Sequence, residues 1–152
     1  MKAEQLNKLL TEKGLTLGSV ESFTGGLFAS TITSTPGASK FYKGGYVTYA
    51  TEEKINLIYV PKDVIEQHGV VSREVAYHMV NNARQLLKVD YCVSFTGNAG
   101  PSAMEGKPVG EIHIGIASQA IAEVYSLNIE GTRREIQEKA VEFAINKLLE
   151  KI

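Results

Sequence analysis

Three short runs rich in apolar, aromatic and β-branched residues, at positions 15–20, 45–50 and 90–95, are separated by stretches of helical periodicity instead of hairpin turns. Strands linked in this way pair in parallel, because a parallel connection needs a crossover of about a dozen or more residues, usually a helix. The crossover helices then cover the faces of the sheet, which directs the chain toward a layered α/β fold.

The stretches between the runs carry their own signals. Leu6, Leu9 and Leu10 recur at helical spacing, and Gly14 marks a stop, so the spacing predicts a helix over 3–13. A second helix is expected over 24–33 on Leu27, Phe28, Ala29 and Ile32, ending in the turn cluster Thr35-Pro36-Gly37-Ala38-Ser39. Thr51 is a fair N-cap for a helix through 58, with Glu52 and Glu53 in the first turn, where the helix dipole favours acids. Pro61 opens a short helical stretch that Gly69 closes. Ser72 then starts a long helix to 87 on Val75, Met79, Ala83, Leu86 and Leu87.

After the third strand, residues 96–108 carry three glycines and two prolines, a long loop of the kind that is usually functional or mobile. Residues 109–117 and 122–128 read as a hairpin of two further strands. Gly131 or Thr132 caps a last helix to 149, built on Ala140, Phe143, Ala144 and Leu148. The fold expected is a three-layer α/β/α sandwich with a five-stranded mixed sheet, mostly parallel with one antiparallel pair. At 152 residues, against roughly 150 per domain, the chain reads as one domain over 1–152.

Composition narrows the function. Hydrophobic residues make up 43% and charged ones 22%, which excludes a disordered or fibrous chain. Lys and Arg number 16 against 17 Asp and Glu, a net charge of −1 with no basic stripe, so nucleic acid is disfavoured as a partner and small molecules lead. The single cysteine, Cys92, lies in an apolar run and reads as a small buried hydrophobe. No apolar stretch approaches the ~18 residues of a membrane span and none has the form of a signal peptide, so a soluble, cytoplasmic protein is expected.

In layered α/β folds, ligands sit at loops leaving the carboxyl ends of strands. That places residues 21–26, 49–54 and 96–100 on one rim. In Val20-Glu21-Ser22-Phe23-Thr24-Gly25-Gly26 a strand meets a helix N-terminus, where Ser22 is a candidate nucleophile. Thr24, Gly25 and Gly26 are candidates to hold an anion, the plainer alternative being that they cap the helix and turn the chain. The histidines fit a Ser-His-Asp arrangement poorly. His68 sits at a helix end, His78 lies within a helix and His113 alternates along a strand. Their separations of 10 and 35 residues, with no acidic cluster around them, give no metal site. Lys54 is the other possible base, provided burial lowers its pKa, a shift that Glu52 and Glu53 would oppose if they pointed inward. Tyr49, five residues before it, ends the second strand. Thr96, Gly97 and Asn98, in Thr96-Gly97-Asn98-Ala99-Gly100-Pro101, offer donors for phosphate or an oxyanion. Arg133, in Gly131-Thr132-Arg133, is a weaker anion candidate.

Taken together, these segments resemble the CinA C-terminal-domain family, which includes nicotinamide-nucleotide amidases. The resemblance spans essentially the whole chain. Glu21-Ser22-Phe23-Thr24-Gly25-Gly26, Pro36-Gly37-Ala38-Ser39, Gly45-Tyr46-Val47-Thr48-Tyr49 and Lys54 carry it, followed by His68-Gly69-Val70-Val71-Ser72, the Thr96 to Pro101 segment and Lys107-Pro108-Val109-Gly110. It implies hydrolysis of the carboxamide of nicotinamide mononucleotide to nicotinate mononucleotide and ammonia, without metal or organic cofactor, on a three-layer fold that is commonly a homodimer. By the same resemblance Ser22 is the nucleophile, Lys54 its base and Tyr49 a group that orients or relays the proton. Amides of Gly25, Gly26 or Gly97 hold the oxyanion or phosphate. The family also includes two-domain proteins with an additional N-terminal domain; here a standalone domain is expected. The sequence departs from the family pattern at Phe23, at Ala50 and Thr51, at Asn98, at Ser102-Ala103-Met104-Glu105 and at Thr132. The altered loop motivates an alternative, a catalytically silent nucleotide-binding module of the same fold.

Overall fold

The computed structural model describes residues 2–152. In chain order the elements are α1 (Lys2–Lys13), β1 (Leu17–Glu21), α2 (Leu27–Thr33), a 3-10 turn (Ala38–Lys40), β2 (Tyr42–Val47), α3 (Thr51–Asn56), α4 (Lys62–His68), α5 (Arg73–Leu87), β3 (Tyr91–Gly97), β4 (Glu111–Ala117), β5 (Ala122–Asn128) and α6 (Arg133–Lys151). The five strands form one sheet in the order β2-β1-β3-β4-β5. It is a mixed α/β sandwich, as the alternation of strands and helices requires.

The sheet is evenly mixed, not mostly parallel. β1 pairs in parallel with β2 and β3, while β3–β4 and β4–β5 are antiparallel. The cause lies between β3 and β4, where the connection carries no helix, so β4 returns directly alongside β3.

Period-two alternation sorts the strand side chains to the two faces. Leu17, Val93, Phe95, Ile112, Ile114 and Ile116 join Phe28 and Ile32 of α2 and the buried stripes of α1 and α6 in one core. On the other face Val20 and Cys92 pack with Val75, Met79, Val80 and Ala83 of α5. The fully buried Cys92 is therefore the small hydrophobe expected of it. Ser72 caps α5 by accepting from the Val75 amide, and α6 opens on a capping box in which Thr132 and Glu135 each accept from the other's backbone amide.

Several boundaries differ from the sequence expectation: Thr51 lies inside α3, whose N-cap is Ala50 and which ends at Asn56 instead of 58, and two shifts are larger. The second helix begins at Leu27 instead of 24, because Gly25 and Gly26 take left-handed conformations (φ 57° and 101°) that keep 22–26 a turn. The second strand is displaced to Tyr42–Val47 from 45–50 by its partner. Pairing with β1 runs from Leu17↔Tyr42 to Glu21↔Val47, and Tyr42 folds its hydroxyl over Gly45, where a Cβ would lie 2.6 Å from it. Tyr49 thus falls beyond the strand, in the link to α3.

This topology creates one privileged crevice. The chain leaves β1 for α2 on one face and reaches β3 through α5 on the other, so the connections diverge at the carboxyl ends of β1 and β3, where such sheets bind ligands. Gly97 closes that end of β3, and a Cβ there would meet Ile112 Cγ2 at 2.6 Å and the Ile112 Cα at 2.8 Å. Gly97→Ala is accordingly expected to lower unfolding stability by about 1–3 kcal/mol in urea titration, since backbone stands in the way and must shift.

Candidate active site

Glu21 and Ser22 are consecutive, and their side chains serve opposite faces of the sheet. The buried carboxylate of Glu21 turns to α2, accepting from the Phe28 and Ala29 amides (each 3.0 Å) and from the Thr24 hydroxyl (2.8 Å). It thereby takes up the first free N–H groups of that helix, where a negative charge is favoured. Ser22, whose own amide donates to the Phe95 carbonyl, points its hydroxyl the other way, to Lys54.

Lys54 reaches Ser22 because of the β1–β2 pairing. The Thr48 amide donates to the Glu21 carbonyl at 2.8 Å, extending the parallel ladder one residue past β2. The chain then turns into α3 and sends Lys54 back along its own path. Its Nζ donates to the Thr48 carbonyl at 2.7 Å and to Ser22 Oγ at 3.0 Å. Only 1% of Lys54 is exposed. Burial pulls its pKa from the usual 10.5 down to about 8, with the Glu105 carboxylate acting in the opposite sense. Glu52 and Glu53, considered above as opponents of that shift, do not take this part: Glu52 is exposed and Glu53 bonds Asn56.

A pocket of about 150 Å³ opens beside this pair, lined by Ser22, Phe23, Tyr49, Thr51, Lys54, Val70, Thr96, Gly97, Asn98, Ala99, Met104 and Arg133. It brings together Ser22, Tyr49, Lys54, Thr96, Gly97, Asn98 and Arg133 of the residues singled out from the sequence. Thr24, Gly25 and Gly26 lie outside its lining: Thr24 is buried against Glu21, and the two glycines shape the turn.

Several side chains hold positions that the sequence did not suggest. Tyr49, 61% exposed, accepts at its hydroxyl from Arg133 Nη2 (2.8 Å), so it engages the start of α6 and not the Ser22–Lys54 pair. Arg133 also donates to the Gly100 carbonyl, and Gln137, one turn further along α6, donates to the Phe23 carbonyl at 2.8 Å. The Thr96 hydroxyl is committed to the Val70 carbonyl (2.7 Å), and the Asn98 side chain accepts from the Gly100 amide (3.1 Å). Glu21 is the functional residue that sequence reasoning passed over. An acid ending an apolar strand just before a helix start was the signal. Val70 and Met104 come from distant loops that the motif comparison quoted without giving either residue a role.

The histidines stay away from the pocket lining. His113 bridges Ser126 (2.8 Å) and Glu111 (2.9 Å) on the β4–β5 side, a pair of partners its strand alternation did not suggest. His68 ends α4 and lies 3.6 Å from Glu74. Among the described residues no group of three or more His, Cys, Asp or Glu side chains could hold a metal ion, and no helix is long and apolar enough to cross a membrane.

Chemically, the arrangement pairs a hydroxyl with an amine that gives up its proton near pH 8. The sign of the linkage is fixed, since a lysine whose pKa is lower folded than unfolded opposes folding fully below about pH 8 and progressively less up to 10.5. At its upper bound the cost is about 3 kcal/mol. Lys54→Met, which keeps the volume and removes the charge, is expected to raise unfolding stability at pH 7 by about 1–3 kcal/mol, with most of the gain gone by pH 10. Urea titrations at the two pH values check this.

Comparison with known proteins agrees with this architecture. The family model described as the CinA C-terminal domain matches residues 1–152. Relatives from Bacillus mycoides (strain KBAB4) and Bacillus cereus (strain AH187), named as competence-damage inducible proteins, are each 40% identical over 146 residues. The match takes in 95% of this chain but 35% of theirs, so the chain spans about a third of their length. A crystal structure of a CinA superfamily protein from Escherichia coli superposes with a TM-score of 0.95 at 27% identity, covering 99% of this chain and 88% of that one. A competence/damage inducible protein from Agrobacterium tumefaciens gives 0.94 at 29% identity, covering 97% and 92%. The chain belongs to the CinA C-terminal domain family.

Proposed function

We propose that this protein is an amidohydrolase that converts nicotinamide mononucleotide to nicotinate mononucleotide and ammonia, with Ser22 as nucleophile and Lys54 as general base. The observation that carries the reading is the 3.0 Å contact between Ser22 Oγ and the buried Nζ of Lys54. A serine hydroxyl is a weak nucleophile until a neighbouring base takes its proton, and a desolvated lysine with a pKa near 8 is such a base.

With Lys54 neutral, the Ser22 hydroxyl donates to Nζ. Oγ attacks the carboxamide carbon as its proton passes to Nζ, giving a tetrahedral oxyanion and an ammonium. The ammonium returns that proton to the departing nitrogen, and ammonia leaves an ester on Ser22. Water then attacks the ester, delivering its proton to Lys54, and Ser22 is released with a proton from Nζ. The oxyanion faces the backbone of Phe23, the residue after the nucleophile, and of Ala99, both in the pocket wall. This differs from an oxyanion held by Gly25 or Gly26, which lie outside the lining. The nucleotide phosphate falls to Arg133 at the mouth, steadied by Tyr49 and the Gly100 carbonyl. Tyr49 then acts on the ligand through Arg133, not as a proton relay. The reaction needs no metal or organic cofactor, and a homodimer is the assembly we assign by family resemblance.

Ammonia release from nicotinamide mononucleotide tests the reading. Wild type is expected to turn over with a rate rising through about pH 8, as Lys54 loses its proton. Ser22→Ala and Lys54→Ala each are expected to lose at least about 1,000-fold. Binding of the nucleotide by wild type without ammonia release points instead to a silent nucleotide-binding module. Unchanged release by Ser22→Ala overturns the mechanism.

A further inference from the structure

The connection between β3 and β4, residues 98–110, is tied to the loop at Val70 and Val71 beside the pocket by an arrangement the chemistry above leaves unused. Glu105 accepts from two consecutive backbone amides, Val70 and Val71, each at 3.0 Å. Lys107 complements it by donating to the carbonyls of His68 (2.8 Å) and Val71, and its Nζ stands 3.7 Å from the Glu105 carboxylate. Acid on amides and base on carbonyls staple one loop to the other. Gly69 makes room for the staple, since a Cβ there would lie 2.7 Å from Glu105 Oε1. The Thr96 hydroxyl on the Val70 carbonyl fixes the same segment from β3.

The consequence falls on Met104. Its carbonyl accepts from the Lys107 amide at 2.9 Å, so Met104 and Lys107 close a tight turn with Glu105 between them. That turn brings Met104 to the lining of the pocket that also holds Ser22 and Lys54. Met104 remains 43% exposed, so it forms the outer wall and not part of the core.

We propose that Glu105 is a positioning residue that latches this strap across the pocket, making Met104 the side chain that limits the size of the group reaching Ser22. This rests on the reading of Ser22 as the nucleophile. It assigns the pocket to a flat, unbranched carboxamide ring, with the remainder of the substrate leaving past Tyr49 and Arg133. Met104→Ala removes the wall and leaves the latch. Glu105→Gln keeps the shape but places an N–H donor against one of two backbone N–H donors, so the latch fails.

Sulfonyl fluorides of two sizes, phenylmethanesulfonyl fluoride and the bulkier dansyl fluoride, report access to Ser22 through the rate and mass of the adduct. In wild type the smaller reagent is expected to react at least about tenfold faster, and in both Met104→Ala and Glu105→Gln the ratio falls toward one. Amide hydrogen exchange at Val70 and Val71 separates the two variants: it quickens in Glu105→Gln and stays at the wild-type rate in Met104→Ala. A size ratio unchanged in Glu105→Gln, or unchanged exchange at Val70 and Val71, overturns the latch while leaving the nucleophile intact. Ser22 unlabelled in all three proteins overturns both. Size selection without ammonia release from nicotinamide mononucleotide supports the latch and faults only the proposed substrate.

Discussion

An amine sealed from water needs partners, and the architecture around Lys54 supplies it with two oxygens. A charged ammonium in that position would bear a desolvation cost that a carbonyl and a hydroxyl repay only in part. The fold answers by lowering the affinity of Lys54 for its proton, which turns a structural liability into a base. The carbonyl comes from Thr48, placed by the parallel ladder between β1 and β2; the hydroxyl comes from Ser22, placed by the ladder between β1 and β3. Removal of either pairing would separate nucleophile and base, so the central strand serves as the common reference for both.

The turn after β1 meets a second demand. Ser22 must be exposed to a ligand on one face while the chain enters a buried helix on the other. Glu21 resolves this by occupying the free amides at the start of α2, and Gln137 of α6 secures the Phe23 carbonyl. The elbow is thus held on both sides of the serine by groups that never face the pocket. The same arrangement explains why the glycines of the motif are hinges: with Glu21 already seated on α2, their task is the left-handed turn that lets the helix start at Leu27.

Much of this was legible in the sequence where local pattern decides structure. Apolar strands separated by helical periodicity gave the layers, and the Thr132 and Ser72 caps marked helix starts that the structure reproduces. Ser22 and Lys54 were identifiable as chemical candidates, and the family motifs supplied their pairing. What escaped depended on contacts between distant segments. The limits of β2 follow from its register against β1, and the sharing of Tyr49 with Arg133 requires α6 to return to the rim. The grip of Glu105 on Val70 and Val71 joins residues 35 and 34 positions apart, beyond any periodicity. The even mixture of the sheet escapes as well, because strand direction across the helix-free connection is set by the pairing of β4 with β3 and not by local pattern.

The account stands on Lys54 giving up its proton near pH 8, far below an ordinary lysine, and its most direct test is a titration of that one group. In protein labelled at lysine Cε with carbon-13, the Lys54 resonance, assigned by its absence from Lys54→Arg, is predicted to titrate near pH 8. A Lys54 resonance that titrates at the ordinary lysine value of 10.5 would contradict the serine–lysine chemistry, whatever substrate the pocket takes.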